Sequence, residues 1–408
     1  MAKPIHLEGT TLEGGGQLLR LATCLSALTS TPINITNIRG KRSGGGGLKA
    51  QHLTSVQWLG GASNARISGV GLKSKEIIFT PRNSRGAAWR ESGDVYIKQN
   101  TPGSVNLVLQ AVLPFMLFSH AGAKEGSAEE KVKVRITGGT NVSNSPSCDY
   151  VEQVLLPMLS LIGIPPIETQ IHSRGWSQGS SRLGSVTYTI MPLRESLPAF
   201  QLTSRGDIKS VKATIIAPGT SEQQFREELD VMFERREAKM FGSSSPEVEV
   251  SFEDSKHEKR YYLLLVATTT TGIKFGRDWL YDHGVRAGKI DTVISSLVRK
   301  VSDDLIQEIG HGGCVDEFMR DQLVVFQALA AGKSNVSGGR RREVLVEPSL
   351  HAKTAHWVAK EVLGVDFDEE GACEGIGLGA SQGEGREEEV DADERLIEDT
   401  KRLKLSND

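Results

Sequence analysis

The order of helix-like and strand-like segments constrains the fold of this 408-residue chain more than any single motif does. An apolar segment with the three-to-four spacing of a helix repeatedly precedes a segment with the alternation of a strand. The pattern includes QLLRLATCLSALTS before INITNIR and VNLVLQAVLPFMLFSHA before KVKVRITGG. Because the repeat lies in element order rather than in residue identity, it predicts an α/β protein of two or three similar units with helices packed on sheets.

Residues 193–285 interrupt this order. A long charged helix-like segment, SEQQFREELDVMFERREAKMF, lies there between strand-like segments, which predicts a small inserted α/β domain. Residues 1–192 would then form the first two units and residues 286–365 the third. From residue 366 onward, 15 acidic and 5 basic residues with almost no large apolar residue predict a disordered acidic tail, 366–408.

Composition restricts the class of protein. Hydrophobic residues make up 38% and charged residues 24%, which is typical of a globular protein. We expect no membrane span, because no apolar run approaches about 18 residues. The first residues, MAKPIHLEGT, lack an apolar signal core, and the four cysteines form no C-x-x-C pair. We therefore expect an intracellular protein with reduced thiols, and we favour the nucleoplasm over the cytoplasm.

Basic residues dominate the N-terminal part of the chain. No acidic residue occurs between Glu13 and Glu76. The basic residues of that stretch are Arg20, Arg39, Lys41, Arg42, Lys49, Arg66, Lys73 and Lys75. A surface of one sign attracts polyanions, so the stretch favours an anion-binding role, the alternative being a solvated basic face without a partner.

The segment Glu13-Gly14-Gly15-Gly16-Gln17 opens the first apolar helix. Glycines let backbone N–H groups approach an anion, and the helix dipole favours negative charge there. Arg20 lies one turn further on. A carboxylate beside phosphates is repulsive without a bridging cation, so Glu13 suggests Mg²⁺ or Mn²⁺. These residues alone are equally compatible with a flexible turn and a solvated acid.

Four further segments carry candidate binding residues. Arg39 and Arg42 flank a glycine-rich loop, and guanidinium groups suit bidentate phosphate contacts. Pro146 and Tyr150 would form an apolar wall for a base, although by themselves they are better explained by an ordinary turn and helix cap. The segment from Phe318 to Gln322 is by itself an unremarkable helix start. His351 opens a helix and is a candidate nucleophile, although a lone histidine is more often structural.

Taken together and in order, these motifs resemble the RNA 3′-terminal phosphate cyclase family. The matching segments are LEGGGQLLR, IRGKRS with LKAQHL, LVLQAVLP, GGTN with PSCDYV, DQL with ALA, and PSLHAKTA. The resemblance covers about 1–192 and 286–365. It implies three repeated units, each with a four-stranded sheet and two helices, plus a small inserted α/β domain. The loop SGGGGL is one residue longer than the family's and lacks its proline, so we expect it to be looser.

The resemblance also implies a reaction that uses ATP and a divalent metal, Mg²⁺ or Mn²⁺. A histidine becomes adenylylated, the AMP moves to an RNA 3′-phosphate, and the adjacent 2′-hydroxyl closes a 2′,3′-cyclic phosphate. On the matching positions, His351 is the nucleophile and Glu13 the metal ligand. Arg20, Arg39, Arg42 and Gln51 are implied to hold the triphosphate. The implied adenosine pocket consists of Gln110, Pro146, Tyr150, Phe318, Asp321 and Gln322, with the base between Phe318 and Pro146.

Two alternatives belong to other functional classes. A cyclase-like branch acts in ribosome assembly without cyclase activity, but it lacks the histidine and the Glu-Gly-Gly-Gly-Gln element, both of which are present here. A general single-strand RNA-binding module would fit the basic N-terminal third but would leave His351 and Glu13 unexplained. The sequence does not indicate an oligomeric state.

Overall fold

The computed structural model describes residues 3–42, 44–82, 89, 93–120, 131–177, 182–241, 246–281 and 290–379. Within these ranges, the helices are either too short or too polar to cross a bilayer. The four cysteines are buried as free thiols.

The first unit has the order strand, helix, strand, helix, strand, strand. It consists of β1 (Ile5–Glu8), α1 (Gly16–Thr29), β2 (Ile33–Thr36), α2 (Ala50–Ala62), β3 (Arg66–Ser68) and β4 (Ile77–Thr80). The sheet order is β1-β2-β4-β3, with β1 parallel to β2 and the other pairs antiparallel. Alternation buries Ile33 and Ile35 of β2 under the helices, as a half-buried strand requires.

The second unit repeats this arrangement. It consists of β5 (Val95–Lys98), α3 (Val105–Phe118), β6 (Val132–Gly138), a composite helix α4, β7 (Glu168–Ser173) and β8 (Gly184–Ile190). Helix α4 runs through Cys148–Tyr150, a π-helical turn Val151–Leu155, and Leu156–Leu161. The sheet order is β5-β6-β8-β7, with the same pattern of one parallel and two antiparallel pairs. The predicted repeat of element order is therefore present in three dimensions.

The inserted domain follows strand β9 (Gln201–Leu202). It consists of β10 (Ile208–Ala217), α5 (Glu222–Phe241), β11 (Glu247–Asp254), β12 (Tyr261–Thr269), β13 (Lys274–Tyr281) and α6 (Ile290–Gly310). The sheet order is β11-β10-β12-β13. Helix α6 packs on β12 and β13 and against α5, so both helices belong to this sheet.

The third unit is assembled from both sides of the insertion. Strand β9 precedes the insertion, and the other elements of the unit come after it. They are α7 (Glu317–Leu329), β14 (Ala331–Val336), a hairpin of β15 (Arg340–Arg341) and β16 (Val344–Leu345), α8 (Leu350–Leu363) and β17 (Ala372–Ile376). Strand β14 lies between β9, to which it is parallel, and the antiparallel β17. A single antiparallel bridge from Phe367 to Cys373 takes the position of the remaining strand. The third sheet is thus a reduced copy of the other two.

These elements confirm the α/β class and correct three predicted boundaries. Strand β9, assigned to the insertion, belongs to the third unit, and α6, assigned to the third unit, covers the inserted sheet. Strand β17 lies inside the predicted tail, so disorder from residue 366 is wrong for the described residues up to 379. Small residues explain this error: Ala372 and Cys373 are 3% exposed, yet their side chains carry little apolar signal. Residues 380–408 lie outside the described residues.

Candidate functional site

The N-termini of all the repeat helices converge on one cavity. Residues at or near the start of α1, α2, α3, α4, α7 and α8 line a space of about 1100 Å³. These residues are Gly16, Gln17, Lys49, Gln51, His52, Ser104, Leu107, Ser147, Glu317, Phe318 and His351. Helix N-termini carry unpaired N–H groups and the positive end of the helix dipole. The repeat of the fold therefore gathers several helix N-termini, a feature that suits an anion, where the units meet.

The turn before α1 holds a buried carboxylate. The Glu13 side chain is 5% exposed; its Oε1 pairs with Arg42, while Oε2 has no hydrogen-bond partner among the described residues. Glycine is required at the two neighbouring positions because side chains of the site lie close to their backbone. A Cβ at Gly15 would collide with the Glu13 carboxylate, and one at Gly16 would lie 2.6 Å from His52 Nε2. Glycines thus let side chains of the site fold over the backbone.

Three guanidinium groups face the same space from the first unit. Arg20 is buried, and its Nη2 donates to Gln17 Oε1 at 2.7 Å. Burial lowers the pKa of Arg20 to about 10, opposed by the charge of Asp321, so the group stays cationic at neutral pH. Arg39 donates to the Gly47 carbonyl at 3.2 Å. All three arginines line the cavity together with Glu13.

The residues at Glu13 fit a divalent cation that shares its ligands with a phosphate substrate. The described residues contain no group of three or more histidine, cysteine, aspartate or glutamate side chains that would enclose a metal. Mg²⁺ in phosphate-binding sites commonly takes one or two carboxylates, with waters and phosphate oxygens completing its octahedron. The unpartnered, buried Oε2 of Glu13 is a donor of that kind. The fit is to one protein ligand, not to a protein cage.

Gln51 connects the first two units at the wall of the cavity. Its Oε1 accepts a hydrogen bond from the backbone N–H of Ser104, the N-cap of α3, at 3.2 Å. The preceding loop requires glycine, because Gly44 to Gly47 have φ values of +93°, +91°, +68° and +74°. Gly47 N–H donates to Ile38 O at 2.6 Å, which anchors the end of this loop. Ser43 lies outside the described residues.

An aromatic and amide-rich end of the cavity lies at α7 and α4. Phe318 is 38% exposed, and the Arg277 guanidinium lies 4.4 Å from its ring centroid. The cavity is also lined there by Gln110, Pro146, Asp321 and Gln322. Burial raises the pKa of Asp321 to about 7, and Gln322 Nε2 donates to its Oδ1 at 2.6 Å. This end offers a flat ring and several hydrogen-bonding groups, which suit a heterocyclic base.

Tyr150 does not line the cavity, in contrast to the other predicted site residues. It is 1% exposed and meets Phe318 edge to face, with ring centroids 5.9 Å apart. Its hydroxyl donates to Asp316 Oδ1 at 2.8 Å, and Asp316 is the N-cap of α7. The prediction of a base-contacting Tyr150 is therefore corrected to a support beneath Phe318, because its position on α4 points the ring into the core.

His351 lies in the first turn of α8, exposed toward the cavity. The Ser349 side chain caps this helix by accepting from the N–H of Ala352 at 3.2 Å. Partial burial lowers the pKa of His351, and the charges of Arg20 and Arg42 lower it further, while Glu317 opposes them. The imidazole is therefore neutral over a wider pH range than an isolated histidine, as a nitrogen nucleophile must be.

Several cavity residues received no role from the sequence. Lys49 N–H donates to Nδ1 of the buried His52 at 3.3 Å, and burial, with nearby cations, lowers the pKa of His52 to about 3. Arg277, Trp279 and Lys300 reach the cavity from the inserted domain. The basic and aromatic run KFGRDWLY on β13 was the available signal, but only packing of the insertion on the units brings it here.

Comparisons with known proteins agree on one family. A model of the family described as RNA 3′-terminal phosphate cyclase matches residues 11–368, the inserted domain included. The chain is 30% identical over 371 residues to RNA 3′-terminal phosphate cyclase of Pyrococcus furiosus, covering 90% of this chain and 95% of that protein. It is 28% identical over 392 residues to the protein of that name in Drosophila melanogaster, covering 92% and 97%. To the protein of that name in Methanosarcina mazei it is 30% identical over 373 residues, which cover 89% of this chain and 96% of that protein.

Proposed function

Because the chain belongs to the RNA 3′-terminal phosphate cyclase family, we propose that it converts an RNA 3′-phosphate end into a 2′,3′-cyclic phosphate at the expense of ATP. The observation that carries the proposal is the placement of His351 in one cavity with Glu13 and the arginines Arg20, Arg39 and Arg42. A nucleophile, a carboxylate with an unpartnered oxygen and three guanidinium groups form the set that nucleotidyl transfer needs.

The proposed reaction has three steps. An imidazole nitrogen of His351 attacks the α-phosphorus of ATP, and diphosphate leaves. An oxygen of the RNA 3′-phosphate then attacks the same phosphorus, which releases the histidine and gives an RNA-adenylate anhydride. Finally the 2′-hydroxyl of the terminal ribose loses its proton and attacks the 3′-phosphorus, so that the cyclic phosphate forms and AMP leaves.

The residues divide into two groups in this proposal. Arg20, Arg39, Arg42 and Gln51 hold the triphosphate and offset its charge at the helix N-termini. The adenosine lies at the other end, with its base between Phe318 and Pro146 and its polar edge toward Gln110, Asp321 and Gln322. Tyr150 acts indirectly, by holding Phe318. A divalent cation on Glu13, Mg²⁺ or Mn²⁺, would neutralise phosphate charge when bound.

The decisive test is incubation with α-labelled ATP and metal, followed by denaturing gel analysis. We expect a label on the wild-type protein and none on His351→Ala. His172→Ala is the matched control, because His172 is an exposed histidine on β7, away from the cavity, and should label normally. An unlabelled wild-type protein would favour the non-catalytic cyclase-like branch that acts in ribosome assembly.

RNA specificity and location complete the proposal. Turnover should require a 3′-phosphate and a 2′-hydroxyl but depend little on base identity, because the reacting groups belong to the sugar and phosphate. A DNA end with a 3′-phosphate would accept AMP without being cyclised. We also propose a nuclear location, which fluorescence microscopy of the tagged chain would check.

A further inference from the structure

Two loops of the first unit are joined into a ridge that leads away from the cavity. We call the basic ridge the lysines of residues 38–49 and 71–75, namely Lys41, Lys49, Lys73 and Lys75. Lys73 N–H donates to Leu48 O, and Leu48 N–H donates to Ser74 O, each at 2.9 Å. Ile38 N–H donates to Lys75 O at 2.9 Å. These backbone hydrogen bonds hold both lysine-bearing loops side by side.

The lysines of the basic ridge are exposed and have no ion-pair partner in the described part of the chain. Several lysines elsewhere on the surface pair with carboxylates, namely Lys131, Lys212, Lys300, Lys353 and Lys360, whereas all four lysines of the ridge lack such a pair among the described residues. The scarcity of acids around these four lysines follows from the sequence, since no acid occurs between Glu13 and Glu76. A ridge of uncompensated positive charge attracts a polyanion.

The basic ridge begins at the phosphate end of the cavity. Lys49 lines the cavity and is the N-cap of α2. The aliphatic part of Lys41 packs on Gly14, since a Cβ there would lie 3.1 Å from Lys41 Cδ. Lys73 and Lys75 continue the ridge outside the cavity. A strand whose end reaches His351 can therefore leave over these lysines.

We propose that the basic ridge binds the RNA strand that precedes the reacting 3′-phosphate. The inference rests on the proposed function, because RNA is the polyanion whose end must reach His351. Residues 38–49 and 71–75 contain no aromatic side chain on which a base would stack. The contacts are therefore with phosphates, and the binding is independent of base sequence and strongly dependent on salt.

The test removes two lysines that lie outside the cavity. Lys73 has a φ of +63°, which asparagine tolerates, so the variant is Lys73→Asn with Lys75→Gln. Fluorescence anisotropy gives the Kd for a labelled, 3′-phosphorylated single-stranded RNA over a series of salt concentrations. We expect the Kd to rise about fivefold. The log–log salt slope should fall by about 1.4 if each lysine neutralises one phosphate.

Lys98→Gln with Lys133→Gln is the matched control, because both lysines are exposed on the second unit's sheet. A 3′-phosphorylated dinucleotide is a second control, since it is too short to cover the ridge and should bind the ridge variant and wild type equally. An unchanged Kd and slope for the long RNA, or an equal change in the lysine control, would overturn the proposal.

Covalent AMP labelling needs no RNA and should be normal in the ridge variant. Absence of labelling in the wild type would therefore reject the cyclase reaction while the binding measurement still decides the ridge.

Discussion

The backbone N–H of Glu13 donates a hydrogen bond to Thr354 Oγ1 at 3.2 Å. The two residues are 341 positions apart in sequence. The Thr354 hydroxyl in turn donates its proton to Leu350 O at 2.7 Å. Its oxygen is therefore left to accept the hydrogen bond from Glu13. This contact ties the turn that carries the Glu13 carboxylate to the helix that carries His351. One buried hydroxyl therefore links the proposed metal ligand to the helix of the proposed nucleophile, in addition to the packing of α1 on α8.

Replacement of Thr354 by valine should slow adenylylation as well as lower stability. The side chain keeps its shape, but the Glu13 N–H loses its acceptor, at a cost of about 1–3 kcal/mol. We expect single-turnover adenylylation to slow about tenfold, the equivalent of roughly 1.4 kcal/mol in the barrier. Thr354→Ser retains the hydroxyl and should stay near the wild-type rate. Equal rates for the valine and serine variants would show that the contact is not used.

The pH dependence of adenylylation should reflect the charges around His351. Its lowered pKa places the acid limb of the rate below the value of about 6.5 that is usual for histidine. Arg42→Gln removes a positive charge that lowers this pKa, so the limb should move to higher pH. Glu317→Gln removes a negative charge that raises it, so the limb should move to lower pH. Single-turnover rates at subsaturating ATP, which report ionisation of the free protein, measure both shifts, and shifts of the same sign would contradict this electrostatic assignment.

Glu13→Gln should raise the metal concentration needed for half-maximal adenylylation. The amide keeps the volume of the carboxylate but removes the negative charge that makes Oε2 a ligand. We expect at least a tenfold slower rate at low Mg²⁺, with partial recovery at high Mg²⁺ or with Mn²⁺. Glu8→Gln is a suitable control, since Glu8 lies near the same turn but bonds to Thr10, Thr36 and Asn37. Wild-type metal dependence of Glu13→Gln would place the cation elsewhere.

Tyr150→Phe and Phe318→Ala should differ in which property they change. Burial keeps the pKa of Tyr150 well above its usual value, so its hydroxyl is a permanent donor to Asp316. Tyr150→Phe removes this hydroxyl, so it should lower the free energy of unfolding by about 1–3 kcal/mol and raise the KM for ATP only moderately. Phe318→Ala removes a partly exposed ring, so it should weaken ATP binding with little effect on stability. Chemical denaturation and ATP titration of both variants distinguish a support from a contact.

Most of the predicted site residues lie together in the structure, whereas several elements fall on the other side of the predicted domain boundaries. Every site residue except Tyr150 lines one cavity, because most of the matched motifs lie at or next to helix starts and the repeat gathers those starts at one place. Tyr150 has an aromatic ring that could contact a base, but the motif does not show which face of α4 the ring lies on. That face decides whether the ring lies in the cavity or in the core. The Arg277 guanidinium over Phe318 was not predicted, since it depends on how the inserted sheet packs.

The boundaries failed for physical reasons that a periodicity analysis does not capture. Strand β9 has only two residues, too few for a recognisable alternation. Helix α6 has a strong apolar face, but that face does not indicate which of two sheets it covers. At Gly375 of β17 a Cβ would collide with the carbonyl oxygens of Ala330 and Gln327, so a glycine is required in a strand where composition favours a loop.

Two truncations should separate the contribution of β17 from that of residues 380–408. A chain ending at residue 365 loses β17, which pairs with β14 from Ala331 to Asn335 and buries Ala372 and Cys373. It also loses the hydrogen bond from Gln327 Nε2 to Gly371 O at 2.9 Å. The middle strand of the third sheet, β14, then becomes an open edge. We therefore expect the melting temperature to fall clearly and the chain to aggregate on heating. A chain ending at residue 379 keeps all these contacts and should melt like the full chain. Residues 380–408 carry ten acidic and five basic residues, so their removal should leave RNA turnover unchanged or faster at low salt. Equal melting temperatures for the two truncations would show that β17 adds nothing to the third unit.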